Sequence, residues 1–147
     1  MGDFVAYWIS HQDKFLAALG EHLVIVGVVL VWSLVVAALI TLAIRRSRRV
    51  ENAVLQVLGA LYSVPSLALF SLLIPLTGLG LTSATIVMVA YNQFLLVRNI
   101  VEGLNGVDSG VVEAATGMGM SPMQVLLRVE LPLAFPVIMA GIRLAVI

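Results

Sequence analysis

The sequence contains no cysteine and very little charge, and each shortage excludes a class of function. Without cysteine, disulfide bonds, thiol nucleophiles and thiolate metal sites are excluded. Only 11% of the 147 residues are charged, whereas 61% are hydrophobic. Soluble domains carry about 25% charged residues, so this composition predicts an all-α protein that is integral to a lipid bilayer.

The first long stretch without charge, residues 23–44, predicts the first membrane crossing, because about 20 apolar residues span a bilayer. A cleaved signal peptide is the alternative, but Asp3 replaces the usual basic start and no small-residue cleavage site follows. An arginine cluster follows instead, formed by Arg45, Arg46, Arg48 and Arg49. The positive-inside rule places this cluster in the cytoplasm and residues 1–22 outside.

The next stretch, residues 52–97, carries neither charge nor histidine and is too long for one crossing. Two crossings, over residues 53–76 and 81–97, fit if Thr77-Gly78-Leu79-Gly80 forms a tight turn. The chain would then return to the side of the arginine cluster.

Two prolines, Pro65 and Pro75, lie inside the second crossing, where each removes a backbone donor. A bilayer tolerates this only where protein or a wet cavity satisfies the freed carbonyls. The crossing is therefore either a broken helix that lines a solute pathway or a kinked helix without solute contact. The candidate lining residues are Tyr62, Ser63, Pro65, Ser66, Tyr91 and Asn92. Tyr91, Asn92 and Gln93 have a second interpretation, as hydrogen-bonding groups between helices.

The three crossings contain no aspartate, glutamate, lysine or histidine. An ion-coupled transporter would have no candidate coupling residue there, so the energy for any transport must come from elsewhere. A membrane enzyme is a more distant hypothesis, because His11 and His22 lie in the N-terminal tail without a nucleophile or a set of metal ligands.

The polar loop over residues 98–132 has the turn and cap residues of ordered helices. Asp108 is a good N-cap for a short helix that starts near Ser109 and ends at Gly117 and Gly119. Ser121, with Pro122 and Gln124 after it, predicts a capping box and a second helix that runs to about Glu130. Two short helices of this kind form a compact surface that can dock on a partner protein.

Within that loop, Glu113-Ala114-Ala115, Gly119 and Leu131-Pro132 resemble the EAA motif of permease subunits of binding-protein-dependent ABC importers. Val129 stands where that family often has isoleucine. The resemblance implies a polytopic helical permease with a transmembrane fold like that of methionine permeases. It also implies that the residues that couple to the ATPase are Glu113, Ala114, Ala115, Gly119, Leu131 and Pro132. The alternative is an ordinary amphipathic helix at the membrane interface.

The same resemblance implies a transport subunit that is not an enzyme and binds no cofactor, with ATP-Mg on partner subunits. The implied partners are ABC ATPase subunits, a soluble substrate-binding protein, a second permease copy or a paralogue, and the lipid bilayer, with no nucleic acid. The implied location is the inner membrane of a bacterial cell.

Four further segments resemble the osmoprotectant branch of these permeases, which carries glycine betaine, carnitine or choline. They are residues 63–69, 117–120, 130–133 and 136–143. An amino acid such as methionine is the alternative substrate. A non-transporting assembly or anchoring subunit is the alternative from another class of protein.

The last apolar run, residues 133–147, is short for a span. Permeases of this type continue through a fourth and a fifth crossing, so we expect a chain truncated at its C-terminus, with only the start of the fourth span present. Arg143 lies in this run and is costly in lipid, so it should face protein or water. It is either a pathway residue or a packing residue.

Overall fold

The computed structural model describes residues 11–147, and these residues are almost entirely helical, as the composition predicts. The helices are α1 (Gln12–Ile44), α2 (Arg48–Tyr62), α3 (Ser66–Thr77), α4 (Leu81–Asn105), α5 (Ser109–Gly117) and α6 (Pro122–Val146). Helix α6 contains one π-helical turn, Leu126–Glu130. No strand occurs within residues 11–147, so the expected all-α class is confirmed.

Three helices, α1, α4 and α6, are long and apolar enough to cross a membrane. Helices α2 and α3 reach that length only as a pair, and the pair is bent by 89°. The bend lies at Pro65, which is the N-cap of α3. Proline disfavours helical geometry in the residue before it, so α2 ends and α3 starts in a new direction. Helix α3 continues through Pro75, so only one of the two prolines separates helices.

Several helix ends lie beyond the predicted crossings. Helix α1 begins at Gln12, so residues 12–22 of the predicted outer tail are helical, while residues 1–10 lie outside the described part of the chain. Helix α4 continues past residue 97 to Asn105. Arg98 and Glu102 lie one turn apart there and form an ion pair with 2.9 Å between nitrogen and oxygen, a spacing that supports an exposed helix.

The prediction that the second loop helix ends near Glu130 is wrong, because α6 runs through Pro132 without a break. A proline ring clashes with the carbonyl of the residue four positions earlier in a regular α-helix. In α6 the π turn lies directly before Leu131 and Pro132. The wider turn relieves that conflict, so the loop helix and the final apolar run form one helix.

The core lies around α4, which packs against α1, α2, α3 and α6. Its buried apolar cluster consists of Ala37, Ile44, Leu96, Val97 and Val101. Small residues bring α4 and α6 into close contact. A Cβ atom at Gly103 would lie 3.2 Å from the Cβ of Ala134, and one at Gly141 would lie 2.6 Å from the Cβ of Asn99. Close approach of small residues is the usual basis of helix packing in lipid.

We predict that Gly141→Ala destabilises the protein by about 1–3 kcal/mol, the usual cost of overpacking. The new methyl group would overlap Asn99, and α4 and α6 would have to separate. The measurement is thermal unfolding in detergent. Gly27→Ala is the matched control, because a Cβ there meets no atom within 4 Å. Equal unfolding temperatures for the two variants would contradict the packing of α4 on α6.

Candidate coupling site and polar cavities

The segment that carries the predicted motif is ordered by local capping interactions. The backbone N–H of Gly110 donates to Oδ1 of Asp108 at 2.7 Å, which caps α5 as predicted. After α5, Gly119 has φ +84°, a left-handed conformation that glycine adopts without strain. Its N–H donates to the carbonyl of Thr116 at 2.9 Å. The predicted start and end of this short helix are both confirmed.

The next helix starts with the predicted capping box. The N–H of Gln124 donates to Oγ of Ser121 at 3.4 Å, and the N–H of Ser121 donates to Oε1 of Gln124 at 2.8 Å. Pro122 occupies the first turn, where its missing N–H has no helical partner to lose. These bonds fix the direction in which the chain leaves α5 and enters α6.

The motif residues divide between an exposed and a packed set. Glu113, Ala114 and Gly119 are exposed, whereas Ala115 is only 2% exposed. Helix α5 packs on the first turns of α6, so Ala115 fixes one face of α5 while Glu113 stays at the surface. Among residues 11–147, Glu113 has no ion-pair partner. Met118, which is 78% exposed, adds an uncovered apolar side chain beside them.

The distal motif residues have a different environment. Leu131 is half-buried and lines an apolar groove of about 330 Å³ between α1, α4 and α6. Pro132 is exposed on α6. Leu131 and Pro132 therefore belong to α6, whereas Glu113, Ala114, Ala115 and Gly119 lie on α5 or in the turn after it.

A cluster of charged side chains lies where α1, α2, α4 and α6 end or bend. Nη2 of Arg45 lies 2.9 Å from Oε2 of Glu130. Nδ2 of Asn105 donates to Oε2 of Glu51 at 3.3 Å, and Nη1 of Arg48 lies 3.6 Å from the same oxygen. This cluster is not among the features predicted from the sequence. The spacing of Arg48 and Glu51 is a signal for a pair on one helix, but nothing in the sequence links Arg45 to Glu130.

The predicted pathway residues are partly brought together. Ser66, Tyr91 and Asn92 line a cavity of about 410 Å³, and His22 of α1 lies in the same wall. Asn92 Nδ2 donates to Oγ of Ser33 at 3.2 Å. Asn92 therefore contacts both a neighbouring helix and the cavity, so the two interpretations given to it from the sequence are compatible.

Tyrosine side chains support the bend between α2 and α3. The hydroxyl of Tyr91 donates to the carbonyl of Val64, which lies in the bend. The ring of Tyr62 packs 5.7 Å from that of Tyr91 and 5.2 Å from that of Phe94, measured between ring centroids. Rings at these distances stabilise each other beyond simple burial. Tyr62 is thus a packing residue of the bend.

The other candidates lie away from the cavity. Ser63 bonds the carbonyl of Gly59 in its own helix at 2.9 Å, and Pro65 caps α3. Arg143 is exposed in the last turn of α6 and does not line the cavity. Gln93, which is not among the pathway candidates, donates to the carbonyl of Val89 at 2.8 Å and to that of Ser33 in α1 at 3.4 Å, so it bonds between helices as predicted. Within residues 11–147, no group of three or more histidine, cysteine, aspartate or glutamate side chains could hold a metal ion.

Helices long and apolar enough to cross a membrane thus pack around α4, and a capped helix, α5, lies between α4 and α6. The family model described as binding-protein-dependent transport system inner membrane component matches residues 30–147, and the chain belongs to this family. It is a multi-pass inner membrane protein, the permease subunit of an ABC importer. It is not an enzyme, since in this family a separate subunit hydrolyses ATP.

Curated relatives place the chain within the family more closely. It is 32% identical to a glycine betaine/carnitine/choline transport system permease of Bacillus subtilis, over 100% of this chain and 68% of the relative. It is 34% identical to a carnitine transport permease of Listeria monocytogenes, over 100% of this chain and 67% of the relative. A Helicobacter pylori ergothioneine transport permease and binding protein is 43% identical over 63% of this chain and 17% of its own length. The predicted resemblance to osmoprotectant permeases is confirmed.

We predict that Gly119→Ala loosens the turn between α5 and α6, because a residue other than glycine in the left-handed region costs about 1–2 kcal/mol. Gly117→Ala is the control, since Gly117 is helical, lacks a positive φ and would place its new methyl group more than 4 Å from any neighbour. Hydrogen exchange by mass spectrometry over residues 109–124 is the measurement. Faster exchange is expected for Gly119→Ala alone. Equal exchange in both variants would contradict the conformational role of Gly119.

Proposed function

We propose that this permease carries quaternary ammonium osmoprotectants such as glycine betaine, carnitine or choline. The support is the named substrate class of relatives that align with the whole chain at 32–34% identity. Methionine, the alternative amino-acid substrate, has no such support among these relatives. The observation that carries the transport mechanism is the exposed helix α5, which bears the motif and is held in place by caps at both sides.

Helix α5 would be the element that docks on the ATPase subunit. Its buried Ala115 packs against α6, and its exposed Glu113 has an unpaired carboxylate among residues 11–147. An exposed acid beside apolar side chains suits a groove on a partner protein that offers a basic or N–H donor. Ala114 and Gly119 are small and permit close approach of the partner's backbone. Leu131 and Pro132 would not contact the ATPase themselves. They would act by setting the direction of α6 after its π turn.

The orientation follows from the arginine cluster at residues 45–49. By the positive-inside rule these residues and the loop with α5 face the cytoplasm, where ATP is available, and the N-terminus faces outside. Two permease copies or paralogues would enclose the solute pathway, and ATPase subunits with bound ATP-Mg would close against α5. A soluble binding protein would deliver the solute on the outer side.

The cavity lined by Ser66, Tyr91 and Asn92 would be part of the pathway. Its described lining contains neutral polar groups, an imidazole and apolar side chains, and no acidic side chain. A cationic solute in this cavity could contact the ring face or the hydroxyl of Tyr91. It would meet no side chain of opposite charge among the described lining residues. Weak contact of this kind suits passage, since a tightly held solute would be released slowly. Tyr62, Ser63, Pro65 and Arg143 would contribute through the bend or through packing.

We predict that proteoliposomes with the complete transporter take up labelled glycine betaine when ATP is present. Choline, carnitine, ergothioneine and methionine are the competitors. Competition by choline or carnitine is the expected result, because the relatives named for these solutes align with the whole chain. Competition by methionine alone would contradict the osmoprotectant assignment, and binding of the ATPase without any ATP-driven uptake would favour an assembly or anchoring subunit.

In the same vesicles, Glu113→Ala combined with Gly119→Pro should abolish coupled uptake and leave membrane insertion unchanged, because both changes lie on α5 or the turn after it. ATP hydrolysis and uptake are measured together. Glu102→Ala is the control, since it removes an exposed carboxylate, 54% exposed, from α4. Coupled uptake at the wild-type level in the double variant would contradict the docking role of α5.

A further inference from the structure

A small polar cavity of about 170 Å³ shares no lining residue with the larger cavity. Two of its lining residues, Arg45 and Glu130, also line a neighbouring cavity with Val112 and Thr116 of α5. Two arginines and two glutamates line the small cavity, together with a threonine and an asparagine: Arg45, Arg48, Glu51, Glu130, Thr41 and Asn105. The four charges sum to zero. The charged groups come from α2, from the residues that end α1, and from the π turn of α6, and Asn105 is the last residue of α4.

The ion pair between Arg45 and Glu130 joins residues far apart in the sequence. Arg45 is the C-cap of α1, with its N–H bonded to the carbonyl of Thr41 at 3.0 Å. Glu130 is the last residue of the π turn. The two side chains are 34% and 15% exposed and their charged atoms are 2.9 Å apart. A charge-assisted hydrogen bond in partial burial is stronger than an exposed surface pair.

The hydrogen bond between Glu51 and Asn105 fixes the start of the segment that contains α5. Glu51 is 5% exposed and accepts a hydrogen bond from Asn105 at 3.3 Å. The chain leaves α4 at Asn105, forms α5, and enters α6, where Glu130 bonds Arg45. Both ends of the segment that contains α5 are therefore bonded to residues 45–51, where α1 ends and α2 begins. Displacement of α5 would therefore reach these residues through the Arg45–Glu130 ion pair and the Asn105–Glu51 hydrogen bond.

The cavity also leaves room for the pair to move. The hydroxyl of Thr41 is buried and has no hydrogen-bond partner within residues 11–147. It lies one helical turn before Arg45 and lines the same cavity. If Arg45 or Glu130 shifts, the unpaired hydroxyl of Thr41 can form a hydrogen bond with it. The surrounding helices would not have to repack.

We propose that Arg45 and Glu130 form a positioning pair that transmits displacement of α5 to α1, so that closure of the ATPase subunits moves the first membrane helix. This inference rests on the proposed transport function. Neither residue lines the larger cavity, and both would act through the helices they connect. Loss of the pair should therefore separate ATP hydrolysis from transport and leave assembly intact.

The test uses the complete transporter in proteoliposomes, with ATP hydrolysis and solute uptake measured on the same sample. Arg45→Gln and Glu130→Gln should each lower the solute moved per ATP hydrolysed by about fivefold or more, the lower range of site-to-site coupling. ATP hydrolysis should continue, and the amount of permease in the membrane should stay unchanged. Arg45→Lys, or the exchange Arg45→Glu with Glu130→Arg, should restore most of the ratio.

The matched control is the exchange Arg98→Glu with Glu102→Arg. That pair has the same 2.9 Å separation but lies within α4, with both side chains 54% exposed. The control exchange should leave the ratio within about twofold of wild type, since exposed pairs contribute little.

Three results would overturn the proposal. One is an unchanged ratio in both glutamine variants. Another is an equal loss of uptake, ATP hydrolysis and membrane level, which marks a purely structural pair. The third is failure of both Arg45→Lys and the exchange to restore the ratio. If the wild-type transporter shows no ATP-driven uptake, the proposed function is wrong and the inference falls with it. Failure of the proposed function is thus seen in the wild type, whereas failure of the inference alone is seen only in the variants.

Discussion

Two long stretches of the membrane helices pack without charged side chains, and this constraint determines which polar contacts the structure can form. Residues 23–44 and 52–97 contain no charged side chain, so polar contacts there use neutral groups such as Asn92 and Ser33. The ion pairs of Arg45 with Glu130 and of Arg48 with Glu51 lie beyond those stretches. The pair of Arg45 with Glu130 connects the end of α1 to the π turn of α6.

Helix α4 is the element around which the other long helices pack. Contact with α6 depends on close backbone approach at Gly103 and Gly141, since the surrounding lipid provides little hydrophobic drive for association. Asn105 at the end of α4 then bonds Glu51 of α2. One helix thus connects the packed interior to the start of the segment that contains α5.

Local features of this fold could be predicted from the sequence, whereas contacts between distant residues could not. The caps at Asp108 and Ser121 and the break at Pro65 follow from the backbone chemistry of one or two neighbouring residues. The extension of α6 through Pro132 was not predictable in this way because proline normally ends a helix, and the π turn that admits it has no simple sequence signal.

The candidate site was predictable to a similar extent. Glu113 is exposed and Ala115 is buried because one face of α5 packs on α6. The sequence alone does not show which face of α5 this is. The sequence places His22 in a tail, yet it lies in the wall of the larger cavity, because α1 begins at Gln12 and continues past it. The pairing of Arg45 with Glu130 depends on how α1 and α6 cross, and that angle is a property of the whole packed structure.

The π turn in α6 also fixes a rotational phase. A π turn closes i→i+5 bonds and so takes up about one residue more than an α-helical turn, and each residue rotates a helix by about 100°. The turn therefore allows Glu130 to face Arg45 while Ala134 and Gly141 face α4. Removing one residue from it would turn one end of α6 away from its contacts, so the length of this turn keeps Glu130 and the packing face of α6 in register.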